Sequence, residues 1–220
     1  LDLLGWKEYV EPDPQNPYVQ KLCDELARHQ GVEIFGEGGL GKTALAYQFI
    51  RRNLNDDTTS HSRLGGDQKI KRFEKFAIIT SKSRHQGERE TVHFRVDRKG
   101  DPRNPSRSIA EYNPHGRYQG FIDRVADLYP GSQGRGHLSP EEKALHAIIE
   151  RPILVVIDNY EDIVKDDDNH KKYIEFLTEI PAHAKGRIIV TSRPPAMGKT
   201  NFPVIKMKPF RPPNIHELLL

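Results

Sequence analysis

Val32-Glu33-Ile34-Phe35-Gly36-Glu37-Gly38-Gly39-Leu40-Gly41-Lys42-Thr43-Ala44-Leu45-Ala46 joins a short β-prone run to a glycine-rich loop and then to a good helix former. Gly36, Gly41, Lys42 and Thr43 fit G-x-x-x-x-G-K-S/T, the phosphate-binding pattern. Glycines let the backbone curl so that successive N–H groups face an anion. A helix N-terminus at the end of the loop adds unpaired N–H groups and a favourable dipole. Lys42 is the residue that reaches β- and γ-phosphates in this pattern, and the Thr43 hydroxyl is a Mg²⁺ ligand. The candidate nucleotide contacts are Gly36, Glu37, Gly38, Gly39, Leu40, Gly41, Lys42, Thr43 and Ala44. At average residue usage a chance match in a chain this long is roughly a one-in-a-hundred event. A second Gly-Lys-Thr, at 198–200, is read as an exposed turn. Arg193 stands where its first glycine should be, and Pro194 and Pro195 fall inside the would-be loop.

Outward from this stretch, apolar runs of strand length alternate with helical segments. Tyr18–Gln30 reads as an amphipathic helix with Val19, Leu22, Cys23 and Leu26 on one face, stopped by Gly31. Val32–Phe35 is the first strand, and Thr43 to about Leu54 is a helix burying Leu45, Phe49 and Ile50. Phe76–Thr80 and Ile153–Asp158 are nearly solid apolar strands, Thr91–Val96 alternates, Arg187–Arg193 is a further strand and Val204–Met207 a weaker last one. Helices are expected at Phe121–Tyr129, from Ser139 to about Glu150, and at Tyr173–Ile180. Ser139-Pro140-Glu141-Glu142 has the form of a capping box with proline at the first helical position. Asp101-Pro102, Asn104-Pro105 and Asn113-Pro114 mark turns. The alternation argues a mostly parallel α/β sheet covered on both faces.

Composition bounds the answer without deciding it. The 220 residues suit one domain, or one with an insertion. Hydrophobic content of 35% leaves much of the chain as loop or solvated surface. A net charge of +3 is too weak to imply nucleic acid by itself. The single Cys23 makes no internal disulfide, and no apolar run approaches membrane-span length, which together point to the cytoplasm. The chain opens Leu-Asp-Leu-Leu with no initiator Met, as an excised piece of a longer protein does. The ten histidines are scattered without metal-ligand spacing.

Ligands of open α/β sheets sit at the carboxyl ends of the strands. There the chain places the glycine loop, then Asp158-Asn159-Tyr160-Glu161-Asp162, then Thr191-Ser192-Arg193. Asp158 has the form of a carboxylate that holds Mg²⁺ through water. Glu161 or Asp162 is the candidate to polarise an attacking water. Arg193 is the candidate contact to a γ-phosphate. The catalytic set is therefore Lys42, Asp158, Glu161 and Arg193, with Thr43 and Asp158 at the metal.

Taken in order, Gly-Glu-Gly-Gly-Leu-Gly-Lys-Thr-Ala-Leu-Ala, Leu-Val-Val-Ile-Asp-Asn-Tyr-Glu and Ile-Ile-Val-Thr-Ser-Arg resemble the STAND class of signalling P-loop ATPases, which includes NB-ARC proteins and bacterial defence regulators. The resemblance covers most of residues 30–208. It implies a three-layer P-loop NTPase fold of the ASCE type with strand order 5-1-4-3-2. It also implies ATP or ADP with Mg²⁺ at the loop, Arg193 as γ-phosphate sensor, slow hydrolysis, and oligomerisation in the ATP state. The division expected is a leader and helix at 1–30, the NTPase domain at 31–210 with a basic insertion at about 81–118, and the start of a linker at 211–220. Trp6 stands where the class often has an arginine, and Asn159 where it has a second acid. Lys82, Arg84, Arg89, Arg95, Arg98, Lys99, Arg103 and Arg107 outnumber the acids of the insertion. It reads as a solvated loop or as a surface for nucleic acid or a partner subunit. Two other functions fit the same residues: a nucleic-acid-stimulated AAA+ or initiator-type ATPase, and a non-hydrolysing scaffold locked on its nucleotide.

Overall fold

Ile153–Asp158 is apolar over five consecutive residues, and every one of its six residues is buried. A strand of that kind requires cover on both faces. In a computed structural model, which describes residues 17–55, 73–80, 109–112, 118–129, 138–164 and 167–209, it lies at the middle of a parallel sheet. The elements in chain order are α1 (Tyr18–Arg28), β1 (Gly31–Phe35), α2 (Lys42–Asn55), β2 (Lys75–Thr80), β3 (Ile109–Tyr112), α3 (Tyr118–Ala126), α4 (Pro140–Glu150), β4 (Ile153–Asp158), α5 (Tyr160–Ile163), α6 (Asp167–Thr178), β5 (Arg187–Ser192) and β6 (Val204–Lys206).

The sheet runs β3-β2-β4-β5-β1-β6, and all of its pairings are parallel. Counted without β3, the strands take the order 5-1-4-3-2, and β3 extends the sheet beyond β2. No strand is predicted at 109–112; Ile-Ala-Glu-Tyr is short and bounded by turn signals, and pairing with β2 decides its state. It falls within the region read as an insertion at about 81–118. The expected strand at Thr91–Val96, Trp6, the basic residues 82–107 and the segment 211–220 lie outside the described residues.

Alternation along the strands feeds two cores. Val32, Ile34, Phe76, Ile78, Leu154, Val156, Ile189 and Ile205 pack with α1 and α2 on one face. Ala77, Ile79, Val155, Ile157, Ile188 and Val190 pack with α3, α4, α5 and α6 on the other. Three layers result. The faces expected of α1 and α2 are the buried ones: Val19, Leu22, Cys23 and Leu26, then Leu45, Phe49 and Ile50.

Three helices differ from their expected bounds. α1 ends at Arg28, two residues short of Gln30, with His29 as its cap, and Gly31 already belongs to β1. α3 spans Tyr118–Ala126, because Tyr118 joins Phe121, Tyr173 and Phe176 in an aromatic cluster. α6 starts at Asp167, where Asp167 and Asp168 favour a helix N-terminus. α4 begins as read: Ser139 Oγ accepts the Glu142 amide at 3.2 Å, and the Ser139 amide donates to Glu142 Oε2 at 2.7 Å. The second Gly-Lys-Thr is a turn closed by the Thr200 amide donating to the Met197 carbonyl.

Candidate functional site

β1 leads into the glycine loop, and α2 leaves it at Lys42. Gly39 and Gly41 hold φ of 82° and 85°, the left-handed region where a side chain is strained. A Cβ at Gly38, Gly39 or Gly41 would meet nothing within 4 Å, so the loop flank is open. Gly36 is crowded instead: a Cβ there would approach the Met207 carbonyl oxygen at 3.0 Å. The Gly36 amide donates to the Ser192 carbonyl at 3.3 Å, tying the loop to the end of β5. The Leu45 amide donates to the Gly41 carbonyl at 2.8 Å, so helical bonding begins inside the motif. Lys42 is 7% exposed, and its Nζ donates to the carbonyls of Gly36 and Glu37 at 2.7 and 2.9 Å. The ammonium therefore spans the loop from below.

Asp158 ends β4 and is 3% exposed. Its Oδ1 accepts the hydroxyls of Thr43 and Thr191, each at 2.7 Å. Its Oδ2 accepts Asn159 Nδ2 at 3.1 Å. Asn159 takes a left-handed backbone, φ 53° and ψ 57°, which asparagine tolerates better than most residues. Its amide donates to Thr191 Oγ1 at 2.9 Å. The asparagine that departs from the class pattern thus orients the carboxylate before it. Thr191 closes a buried ring through Asp158 and Asn159.

A second cluster lies beside this one. Glu161, on the single turn of α5, pairs with Arg193 at 3.1 Å between Oε1 and Nε. That contact is charge pairing without hydrogen-bond alignment, since Oε1 is buried and lacks an aligned donor. Oε2 accepts the Arg193 amide at 3.2 Å. Glu161 is mostly covered, whereas the Arg193 side chain is 56% exposed. Asp162, the other acid considered for the water, uses its amide to bond the Asn159 carbonyl. The structure therefore joins Thr43 to Asp158 and Glu161 to Arg193. The segments 158–161 and 191–193 link the two clusters through the backbone.

Sequence reasoning passed over Glu33. Its side chain is fully buried on β1 and accepts bonds from Ser192 Oγ, the Ala196 amide and the Met197 amide. The available signal was a carboxylate inside an otherwise apolar strand. Thr191 was visible only as part of a polar strand end. Tyr160 packs behind the site and shares a 2.9 Å hydrogen bond with His170 Nδ1. Burial first, and then the charge of Glu33, raise the Tyr160 phenol far above its ordinary value.

The donors present suit magnesium and a polyphosphate. A hydroxyl and a carboxylate converge at 2.7 Å, and both are the hard oxygen ligands that Mg²⁺ takes. Among the described residues there is no group of three or more His, Cys, Asp or Glu able to cage a metal. A divalent ion here would share its shell with phosphate and water, as Mg²⁺ commonly does.

No family model matches the chain, and no curated protein matches it. Among solved structures it is similar to Cdc6p from Pyrobaculum aerophilum, with TM-score 0.51 and 15% identity over 94% of this chain and 51% of that one. It also aligns with a STAND protein bearing a tetratricopeptide repeat sensor from Pyrococcus horikoshii, with TM-score 0.45 and 14% identity over 98% of this chain and 26% of that one. Domain III of the Thermotoga maritima replication initiation protein DnaA gives TM-score 0.44 and 13% identity over 88% of this chain and 61% of that one. The chain thus spans about half the length of the Pyrobaculum structure and about a quarter of the Pyrococcus one. At such identities the likeness concerns the fold. The fold is of the three-layer P-loop NTPase type: a parallel α/β sheet with order 5-1-4-3-2 in its core strands.

Proposed function

We propose that this chain is the nucleotide-binding switch domain of a STAND-type signalling or defence protein. It binds ATP or ADP with Mg²⁺, hydrolyses ATP slowly, and controls homo-oligomerisation through its nucleotide state. The observation that carries this is the 2.7 Å contact of Thr43 with Asp158, made directly beside the loop that Lys42 spans. The carboxyl ends of β1 and β4 and the start of α2 have brought a hydroxyl, a carboxylate and an ammonium together at one end of the sheet.

In this reading the amides of Gly36 to Ala44 and the Lys42 ammonium offset phosphate charge. Thr43 and Asp158 hold the magnesium, which polarises the phosphoryl oxygens when bound. Glu161 orients and polarises the attacking water, and Arg193 contacts the γ-phosphate. Loss of that phosphate removes what holds the active arrangement. The Glu161–Arg193 pair supports a coupled role, because a movement of the arginine also frees the glutamate. No described helix is long and apolar enough to cross a membrane, and we place the protein in the cytoplasm.

Calorimetry of Mg·ATP binding tests the reading. Lys42→Ala is expected to abolish tight binding, and unchanged affinity sinks the phosphate-loop assignment. The net-basic stretch 82–107 favours a second reading, a nucleic-acid-stimulated ATPase of the AAA+ or initiator type. Strong stimulation of ATP turnover by DNA or RNA selects it. Turnover below detection, with ADP retained through purification, selects the locked scaffold.

A further inference from the structure

The turn after β5 carries Arg193, and its amide donors can be fully accounted for. Residues 193–197 are Arg-Pro-Pro-Ala-Met. Proline has no N–H, so Arg193, Ala196 and Met197 supply every amide donor of the turn. All three end on carboxylates. The Arg193 amide goes to Glu161 Oε2 at 3.2 Å. The Ala196 amide goes to Glu33 Oε1 at 2.6 Å, and the Met197 amide to Glu33 Oε2 at 3.2 Å. The Ser192 hydroxyl adds a bond to Glu33 Oε1 at 2.7 Å.

Glu33 therefore grips the residue before Arg193 and the residues three and four after it. The exposed tip Arg193-Pro194-Pro195 is left between the two grips. Glu33 also sits three residues before Gly36, on the strand that ends in the phosphate loop. The same strand register that sets the loop sets the height of the arginine turn. A leucine or valine would satisfy burial at this position, but it would leave two amides and a hydroxyl without acceptors.

We propose that Glu33 is a positioning residue for Arg193. It fixes the arginine turn relative to the phosphate loop, so that the protein distinguishes ATP from ADP. The proposal rests on the reading of Arg193 as the group that contacts the γ-phosphate. Glu33 acts through the turn and touches no phosphate. Glu33→Gln keeps the shape but turns one oxygen into a donor aimed at an amide.

The test is calorimetry on the full chain with Mg²⁺, comparing a non-hydrolysable ATP analogue with ADP. It uses the parent, Glu33→Gln, Arg193→Ala and the double variant. Glu33→Gln is expected to weaken the ATP analogue about tenfold while holding ADP within about twofold. The double variant is expected to discriminate no worse than Arg193→Ala alone. If Arg193→Ala leaves the ATP-to-ADP ratio unchanged, the sensor reading falls and the role of Glu33 falls with it. If Arg193→Ala moves the ratio but Glu33→Gln weakens both nucleotides alike, or adds in full to Arg193→Ala, the proposal is overturned and the sensor reading stands. Should Glu33→Gln fail to fold, Ser192→Ala, which removes only the hydroxyl bond, takes its place in the same comparisons.

Discussion

At Asp158 the hydroxyls of Thr43 and Thr191 and the side-chain amide of Asn159 converge on one buried carboxylate, and the two threonines lie far away in the chain. Thr43 lies 115 residues before it and Thr191 33 residues after it. Thr191 also accepts the Asn159 amide, so its hydroxyl serves two partners at once. Thr191→Val keeps the shape and removes both bonds. Stability is expected to fall by about 1–3 kcal/mol, because a buried amide loses its acceptor. Urea unfolding measures this, and an unchanged midpoint would show that the ring is incidental. Lys42, Thr43, Asp158 and Arg193 were legible as candidate site residues because each sits at a fixed offset from a local pattern. Glu33 was not, because its meaning lies in Ser192, 159 residues away. A glutamate inside a strand says nothing by itself about which amides will approach it.

Elements here begin where short-range chemistry says they should, and are extended or added where packing says otherwise. The box at Ser139 is local, and both of its bonds form. Ser139→Ala is expected to cost about 1 kcal/mol. For a domain of this size that lowers Tm by roughly 2–4 °C, visible in a thermal melt. A melt that does not move would mean that the packing of α4 on α3 alone holds its first turn. The start of α2 is also local, since the left-handed glycines at 39 and 41 release the chain into the helix. β3 and α5 had no such signature. β3 exists because β2 offers it a partner edge, and α5 is one turn set off by the left-handed Asn159. Gly31 shows the same dependence on tertiary context: the Phe202 ring occupies the space a side chain would take.

For the molecule as a whole, the sheet separates two cores, and the one beneath α3 to α6 is rich in tyrosine. Tyr118, Tyr160 and Tyr173 all have their phenols raised well above the ordinary 10.0, with burial as the leading cause in each. A phenol that is harder to ionise in the folded protein contributes stability that is fully present below its ordinary value. That stability is lost as pH rises through the folded value. Thermal melts are therefore expected to be flat up to about pH 10 and to fall above it, with phenolate absorbance appearing as the protein unfolds. Phenolate absorbance from all eight tyrosines before unfolding would contradict the burial of this core. The sequence alone determined the solid apolar strands, their alternation with helices and the glycine loop that opens α2, because periodicity, glycine and capping act over a few residues. Only the tertiary structure decided that Asp158 meets Thr43 and Thr191, that Glu161 holds Arg193, and that Glu33 closes the arginine turn. Those contacts depend on strand order and register, which arise from burying both faces of one sheet at once.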